Sequence, residues 1–433
     1  MLAPLAPADT EKVARLRAQL PATDAGIYLA TGWVGPLPAE TVRAMRELED
    51  VELRHGRATP DAREELRGRM DEARAVVAAL LGADPVAVAL THSTTDGMGV
   101  AAWALDWRPG DEIVTTSQEH AGALAALTTI RDRFGVSLRY ADIGDGGDDE
   151  RTLASIEREL TGRTRLVAVP HVTWLTGAVL PVERIGELAR RQGAWLAVDG
   201  AQAAGAIPVD VSLIGADFYA LSAQKWLLGP EGMGALWASP RAVAEARQSA
   251  AGWYNFESVP PSGEARRFAD ARRFDATAFH RPSVGGFARS VGWLEMHVGL
   301  DWAFARAARL ARWTADALAA VPGVEVLTPR DRMATLVTFR IAGWTAGEAI
   351  KILARRHFAI LPPFRALRAL RALRASVGFF NSESELARFV DGVAEVASHT
   401  PDSLPDRPDL VMLFDPGHPA GPVMGYDAPA AGE

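Results

Sequence analysis

The 433-residue chain contains no cysteine, which excludes several kinds of chemistry at once. Disulfide bonds, metal sites built from thiolates and a cysteine nucleophile cannot be formed by this sequence. Histidine is scarce as well, with nine residues, and none of them belongs to an HExxH motif or another closely spaced pair. A zinc or iron enzyme is therefore not expected.

Long apolar runs and an excess of positive charge are missing too. No apolar segment approaches the length of a membrane span, and the first residues show no basic region followed by an apolar one, as a secretion signal requires. The net charge of −8 gives no electrostatic reason to expect a nucleic acid or an anionic membrane as a partner. We expect a globular protein of the cytoplasm that binds neither.

The sequence does contain short apolar strands that alternate with helical patterns. The strands are predicted at 86–90, 112–116, 137–143, 165–170, 195–199, 217–222 and 234–239. This alternation predicts an α/β fold with a mostly parallel seven-stranded sheet covered by helices on both faces. In such sheets a ligand lies beyond the carboxyl ends of the strands, so residues that follow the strands are candidates for a site.

The length of the chain is sufficient for two domains. We predict an N-terminal segment at 1–20, a large domain at 21–290 and a smaller α+β domain at 291–400. A long helical region is predicted at about 285–320. The remaining segment, 401–433, is rich in Pro, Gly and Asp and is expected to be partly disordered.

Two of the predicted strands end in residues with complementary chemistry. Asp199 ends the strand 195–199, and Lys225 follows the end of the strand 217–222. An acid and a lysine in these positions favour chemistry with pyridoxal 5′-phosphate (PLP), in which the lysine forms a Schiff base and the acid keeps the pyridinium nitrogen protonated. Taken alone, each has a structural alternative, since most lysines are solvated and Asp-Gly is an ordinary turn.

Two further segments carry candidate cofactor ligands. Ser93, Thr94 and Thr95 follow a strand and open a helical pattern, where free N–H groups and the helix dipole suit a phosphate. The alternative is a plain helix N-cap. His120 also begins a helix after a strand, where it can stack on a cofactor ring or act as a capping residue.

Together these segments resemble the class V aminotransferase group of fold-type I PLP enzymes. The resemblance covers about residues 25–395 and is carried by STTDG, SQEHAG, HVTWLTG, VDGAQ, SAQKWLLGP, RRFDATAF and RAS. The group includes cysteine desulfurases, cysteine/cystine C–S lyases, kynureninase and isopenicillin N epimerase-like enzymes. The segments GWVGPLP, ALDWRPGDEI, HVTWLTGAVLP and QKWLLGPEGMGALW are similar to the C–S lyase subgroup.

The resemblance implies a role for each residue around the cofactor ring. Lys225 is the Schiff-base lysine and the proton shuttle, and Asp199 pairs with the ring nitrogen. Gln202 reaches the ring hydroxyl, and His120 stacks on the ring face. These four side chains would orient the cofactor and its reactive carbon.

For the phosphate, the resemblance implies a larger set: Thr94, Thr95, Ser222 and Gln224. In the group, a threonine near the RF motif reaches the phosphate from the partner subunit, so a homodimer with shared active sites is expected. Thr277 lies one position before that threonine, whose own position holds Ala278. Gln224 also departs from the group, since histidine often precedes the lysine.

For the substrate, the resemblance implies that Arg374 binds the α-carboxylate, a task that suits a bidentate guanidinium. The repeated run before it offers three alternatives, Arg365, Arg368 and Arg371. Members of the group usually have an asparagine in the motif after His171. This chain lacks it, and Trp174 and Leu175 occupy that stretch. Several aromatic side chains are candidates for an apolar substrate pocket or for core packing: Trp33, Trp174, Trp253, Tyr254 and Phe256.

The absence of cysteine selects among the reactions of the group. A conventional cysteine desulfurase needs a thiolate to attack the substrate sulfur, whereas β-elimination does not. The sequence therefore favours a C–S β-lyase that acts on cysteine, cystine or a cysteine S-conjugate and forms thiol, pyruvate and ammonia. A class V aminotransferase, an amino-acid epimerase, a decarboxylating oxidative deaminase and a non-catalytic scaffold remain alternatives.

Overall fold

The structure is a computed structural model that describes residues 8–249, 252–363 and 370–405. The tail predicted at 401–433 lies outside these ranges beyond residue 405. Arg365 and Arg368, two of the alternative arginines, also lie outside them, as does the side chain of Trp253.

The described residues contain the following strands: β1 (Ile27–Tyr28), β2 (Val88–Thr91), β3 (Glu112–Thr116), β4 (Ser137–Ala141), β5 (Thr164–Pro170), β6 (Trp195–Asp199), β7 (Phe218–Ser222), β8 (Gly234–Ala238), β9 (Phe256–Ser258), β10 (Arg266–Arg267), β11 (Val324–Val326), β12 (Leu336–Ile341), β13 (Ala359–Ile360) and β14 (Ala372–Ser376).

The helices in the same ranges are α1 (Thr10–Arg17), α2 (Ala39–His55), α3 (Pro60–Leu81), α4 (Thr94–Trp103), α5 (Ala121–Phe134), α6 (Asp149–Glu159), α7 (Val182–Arg191), α8 (Val211–Ile214), α9 (Pro240–Glu245), α10 (Arg281–Trp293), α11 (Leu300–Ala319), α12 (Ala346–His357) and α13 (Glu383–Ala397). Within the described part of the chain, none of them is both long and apolar enough to cross a membrane.

The central sheet has seven strands in the order β2-β8-β7-β6-β5-β3-β4. All pairings are parallel except those of β8, which runs antiparallel to β2 and β7. The connection from β7 to β8, residues 223–233, holds no helix, and a short connection of this kind returns the chain antiparallel to the strand it leaves. The mostly parallel sheet predicted from the sequence is confirmed.

Helices cover both faces of this sheet and create two separate cores. Along β5, Val167 and Val169 pack in one core, while Leu166 and Ala168 pack in the other. Successive side chains of a strand point to opposite faces, so a strand that is buried on both faces must be apolar throughout. This explains why the strands appear in the sequence as short uninterrupted apolar runs.

A second, antiparallel sheet is formed by β11, β12 and β14, and it packs against α11, α12 and α13. The single helical region predicted at about 285–320 is wrong in one respect, because it is divided into α10 and α11. A π-helical turn at Leu294–Val298 and Gly299, with a φ of 80°, separate the two helices. The domain boundaries stay a prediction.

The segment after β1 connects the two sheets and approaches the end of β7. β1 pairs in parallel with β13, and Ala30 forms a bridge with Ser376 at the end of β14. Further on, the Gly35 N–H donates to the carbonyl of Gln224 at 2.6 Å. Residues 30–35 therefore run from the smaller sheet to the loop that contains Lys225.

Arg306 in α11 is buried and held by several hydrogen bonds. It donates to both carboxylate oxygens of Glu383 at 2.9 and 3.0 Å, and to the carbonyls of Phe379 and Asn381. We expect Arg306→Met to lower the free energy of unfolding by about 3–5 kcal/mol, because it leaves the buried Glu383 carboxylate with fewer partners. Arg309 also binds Glu383 but is only half-buried, so Arg309→Met should cost less than about 1 kcal/mol in the same denaturant titration. Equal losses in the two variants would contradict this explanation.

Candidate active site

Asp199 and Lys225 lie at the same edge of the central sheet. Asp199 ends β6, which pairs with β7, and the loop after β7 contains Lys225. Asp199 is 5% exposed, and its Oδ1 accepts a hydrogen bond from the N–H of Ala201 at 2.9 Å. The adjacent strand ends thus bring the carboxylate and the amine to one site.

The amine of Lys225 is prepared to act as a nucleophile. Burial lowers its pKa to about 8, and the positive charge of Arg374 adds to this effect, while the Asp199 carboxylate opposes it. A lysine with a lowered pKa is more often neutral near physiological pH, and only the neutral amine attacks a carbonyl. The environment therefore suits Schiff-base formation with an aldehyde.

Lysine is rare in this chain, and Lys225 is one of only three. Of the 46 lysine and arginine residues, only Lys12, Lys225 and Lys351 are lysines. Lys12 lies over the ring of Trp302 at 3.8 Å, and Lys351 is exposed on α12. Arginine can replace lysine in most surface roles, but its guanidinium stays protonated and forms no Schiff base.

The N-terminus of α4 lies beside the end of β7. The backbone N–H of Thr94 donates to Ser222 Oγ at 2.8 Å, and the hydroxyls of the two residues are 2.7 Å apart. Ser93 caps the helix by accepting from the N–H of Asp96. Two hydroxyls and a positive helix end therefore meet next to the lysine loop, an arrangement that suits a phosphate.

Two more of the predicted phosphate ligands lie around this helix end. Thr95 is exposed on α4, and Gly122 at the start of α5 lies so close to it that a Cβ there would collide with the Thr95 hydroxyl. The side-chain oxygen of Gln224 is buried and has no hydrogen-bond partner among the described residues. Buried polar atoms are ordinarily satisfied by protein, water or ligand, so Gln224 fits a site that receives a polar group.

His120 lies at the start of α5 and faces Trp174. Its Nδ1 accepts from the N–H of Gly122 at 3.0 Å, so the neutral ring carries its proton on Nε2. Burial lowers the pKa of His120, as do the charges of Lys225 and Arg374, while Asp199 raises it. The neutral ring packs edge-on against Trp174 with 5.1 Å between the ring centres.

Glu119 is a buried acid that the sequence reading missed. Its Oε1 accepts from the N–H of His120 at 2.7 Å, and its carbonyl accepts from the indole of Trp174 at 3.3 Å. Burial, together with the Asp199 carboxylate, raises its pKa well above the usual value. Nothing in a single sequence distinguishes such an acid from a solvated one after a strand.

Gln202 and Arg374 meet at one backbone oxygen. The amide nitrogen of Gln202 donates to the carbonyl of Gly32 at 2.7 Å, and Nη2 of Arg374 donates to the same oxygen at 3.2 Å. Nη1 of Arg374 donates to the carbonyl of Trp174 at 2.6 Å. Arg374 is 1% exposed, and burial lowers its pKa to about 9.

Two of the predicted residues are exposed on the molecular surface. Trp33 is 47% exposed, and Thr277 is exposed beside Gly252. Ala278 is exposed too, and its carbonyl contacts the ring of His92 at 2.7 Å. The predicted phosphate contact of Thr277 requires a second subunit and stays a prediction, as does the pocket role of Trp33.

The described residues fit PLP in type and in position. A carboxylate for the ring nitrogen, an amine for the aldehyde and a helix end for the phosphate all lie at one edge of the sheet. His120 adds a neutral aromatic ring, and the buried oxygen of Gln224 is an acceptor without a hydrogen-bond donor among the described residues.

A model of the family described as aminotransferase class V matches residues 27–389. The chain belongs to this family. A probable cysteine desulfurase of Mycolicibacterium paratuberculosis is 31% identical over 350 residues, which are 76% of this chain and 49% of that protein. The chain thus spans about half the length of this relative. A probable cysteine desulfurase of Pseudomonas aeruginosa is 32% identical over 335 residues, which are 74% of this chain and 80% of that protein.

Among solved structures, the complex of the cystine C–S lyase C-DES with its product cysteine persulfide is similar to this class V chain. Its TM-score is 0.81 at 25% identity, and the match covers 88% of this chain and 100% of that one. A mutant of C-DES has been solved with glycine covalently linked to its PLP cofactor. Class V aminotransferases and cysteine desulfurases are PLP-dependent enzymes, so the expected family, cofactor and enzyme class are confirmed.

The lowered pKa of Lys225 predicts how this class V enzyme captures its cofactor. The rate at which added PLP gives the visible absorption of a lysine-bound cofactor should rise with pH, with a midpoint near 8, because only the neutral amine reacts. Asp199→Asn should move the midpoint down, since the carboxylate stabilises the protonated amine. Arg374→Gln should move it up, since the guanidinium destabilises that form. A midpoint that is unchanged in both variants would contradict the assignment.

Proposed function

We propose that this protein is a PLP-dependent C–S β-lyase that acts on cysteine, cystine or an S-conjugate of cysteine. The observation that carries the proposal is the combination of an intact acid–lysine–arginine site with a chain that contains no cysteine. A desulfurase must transfer the substrate sulfur to a thiolate of its own, and this chain supplies none. The similar proteins include probable cysteine desulfurases and a cystine C–S lyase, and the second activity is the one compatible with this composition.

When bound, PLP supplies a covalent link to the substrate amine and an electron-accepting ring that stabilises a carbanion at Cα. Asp199 would keep the ring nitrogen protonated, and its own burial keeps competing water away. The neutral ring of His120 would lie against the cofactor without adding a charge. These two residues would bind and orient the cofactor.

Lys225 would remove the proton from Cα of the substrate, because its amine is released when the substrate replaces it. A general base with a pKa of about 8 combines a useful neutral fraction with enough basicity. The electron pair of the C–S bond leaves with the sulfur as a thiolate. Hydrolysis of the remaining three-carbon fragment gives pyruvate and ammonia.

Arg374 would hold the α-carboxylate of the substrate. Its guanidinium is anchored by two carbonyls, those of Trp174 and Gly32, and a fixed fork of this kind suits a carboxylate. The indole of Trp174 is half-buried beside His120, and it would offer an apolar surface to the substrate. We infer that the enzyme accepts substrates with an apolar group on sulfur.

A homodimer is proposed as the active form, on the basis of the exposed Thr277 and the family resemblance. In that arrangement the segment around Thr277 would approach the phosphate bound by the other subunit. Sedimentation of the protein with bound PLP would test this: a dimeric mass supports it, and a monomer with full activity would overturn it.

The proposed activity is tested by incubating the purified protein and PLP with cystine, S-methylcysteine and S-benzylcysteine, and measuring pyruvate together with the released sulfur compound, which is a thiol from the two S-conjugates and cysteine persulfide from cystine. Both products should appear together, and alanine, which has no group to expel, should give neither. Transfer of the amino group to an added keto acid without thiol release would instead support an aminotransferase. Release of carbon dioxide or inversion at Cα without thiol would support the oxidative or epimerising alternatives.

A further inference from the structure

We propose that Trp226 is a positioning residue of this site: its indole N–H orients the Gln202 amide, and the shared carbonyl of Gly32 couples that amide to Arg374. Cofactor orientation and substrate binding are then linked, an inference that rests on the proposed function. Trp226 is the residue directly after Lys225 and is 4% exposed.

The orientation of the Gln202 amide is fixed at both ends. Its Oε1 accepts from the indole Nε1 of Trp226 at 2.9 Å, and its Nε2 donates to the carbonyl of Gly32 at 2.7 Å. An indole N–H can only donate and a carbonyl can only accept, so the reversed amide would lose both hydrogen bonds. Without Trp226, this choice between the two orientations would depend on Gly32 alone.

The Gly32 carbonyl also accepts from Nη2 of Arg374. A change in the Gln202 amide therefore reaches the guanidinium through a single shared oxygen. Nη1 of Arg374 donates to Trp174, whose indole in turn donates to the carbonyl of Glu119. A continuous chain of hydrogen bonds thus runs from the residue after the lysine to the segment that contains His120.

Three side chains pack closely around the Cα of Gly32. A Cβ at this position would lie 2.9 Å from each of three atoms: Gln202 Oε1, Leu336 Cδ2 and Ser376 Oγ. Real Cβ atoms do not approach other atoms this closely, so a larger residue at this position would force neighbouring side chains, including Gln202, to shift. Residues 30–35 run between the two sheets, and the carbonyl is held where cofactor and substrate ligands meet.

The coupling has a chemical consequence. The residue implied to bind the ring hydroxyl and the residue implied to bind the substrate carboxylate share one acceptor. When a carboxylate binds Arg374, the hydrogen bond from Arg374 to the Gly32 carbonyl weakens. The hydrogen bond from Gln202 to the same carbonyl then changes in strength. A substrate that lacks the carboxylate would then fail to set the cofactor hydrogen bond, in addition to binding weakly.

The test uses Trp226→Phe, which keeps an aromatic ring but removes the N–H. We expect KM for S-methylcysteine to rise about fivefold, the effect of one buried neutral hydrogen bond, and the visible absorption maximum of the bound cofactor to shift before substrate is added. Trp107→Phe is the matched control, because the Trp107 indole donates to Ala102 at 2.7 Å within a core away from the site. That control should change neither quantity.

Coupling itself is measured with Arg374→Lys. Its effect on KM should be smaller in the Trp226→Phe background than in the parent, because the link has already been broken. Purely multiplicative effects, or a Trp226→Phe variant that behaves like Trp107→Phe, would overturn the inference. If Trp226→Phe does not fold, Gln202→Glu gives the same readouts, since it keeps the acceptor for Trp226 and loses the donor to Gly32.

The inference and the proposed function fail in different ways. A cofactor band that depends on Lys225 but is unaffected by Trp226→Phe rejects the coupling alone. The absence of any lysine-dependent band in the parent protein rejects both.

Discussion

Replacing Lys225 by alanine is expected to abolish the visible absorption of lysine-bound PLP and to lower the rate of pyruvate release by at least about 10³-fold. The amine has two roles in the proposed reaction, since it binds the cofactor and removes the Cα proton. Loss of a positioned general base alone accounts for a reduction of this size.

Lys351→Ala provides the matched control, because Lys351 is exposed on α12 and is one of the two other lysines in the chain. It should leave both the absorption and the rate unchanged. The measurement is single-turnover pyruvate release at saturating PLP, with circular dichroism to verify the fold. Residual activity of Lys225→Ala within tenfold of the parent would contradict the role of this residue.

The second large effect is expected at Arg374. Replacing it by leucine should raise KM for S-methylcysteine by about 100-fold, because two charge-assisted hydrogen bonds to the substrate carboxylate are lost. Arg374→Lys keeps the charge but not the fork and should cost about tenfold. The effect should fall on KM more than on kcat, since the carboxylate does not react.

Arg371 supplies the control for Arg374. It lies three residues earlier in the same arginine run, and it is exposed with a φ of 53°. Arg371→Leu should leave KM within twofold of the parent value. If instead Arg371→Leu raises KM and Arg374→Leu does not, the carboxylate is bound by a different arginine from the one proposed.

Much of the fold could be predicted from the sequence because the central strands are buried on both faces. Their uninterrupted apolar runs, separated by helical patterns, are the signal of a parallel sheet. Asp199 and Lys225 follow the ends of two of these runs, and this position indicated that they act at the same site. The antiparallel direction of β8 was not predicted, although the short connection at 223–233, which holds no helix, is the feature that accounts for it.

The residues around Arg374 show why the rest of the site could not be predicted. In the sequence, the repeated arginines left several candidates for the carboxylate, whereas in the structure Ala372–Ser376 is a strand that pairs with β12 and places Arg374 opposite Thr338. Its partners, Trp174 and Gly32, are about 200 and 340 residues away in the chain. Contacts at such separations follow from tertiary packing and leave no local pattern.

Glu119, Gly32 and Trp226 were missed for the same reason. A buried acid, a glycine without a positive φ and a tryptophan after the lysine have ordinary local sequences. One compositional signal does bear on function. The chain uses arginine for nearly all its basic residues, so a lysine at 225 indicates a task that a guanidinium cannot perform.

The most direct test of the account is to identify which amine binds the cofactor. The full chain is incubated with PLP, reduced with borohydride, digested and examined by mass spectrometry for the added pyridoxyl mass. Label on the peptide that contains Lys225, and none on those with Lys12 or Lys351, is the predicted result. Label on either of the other two lysines in preference to Lys225, or no label at all, would contradict the central claim.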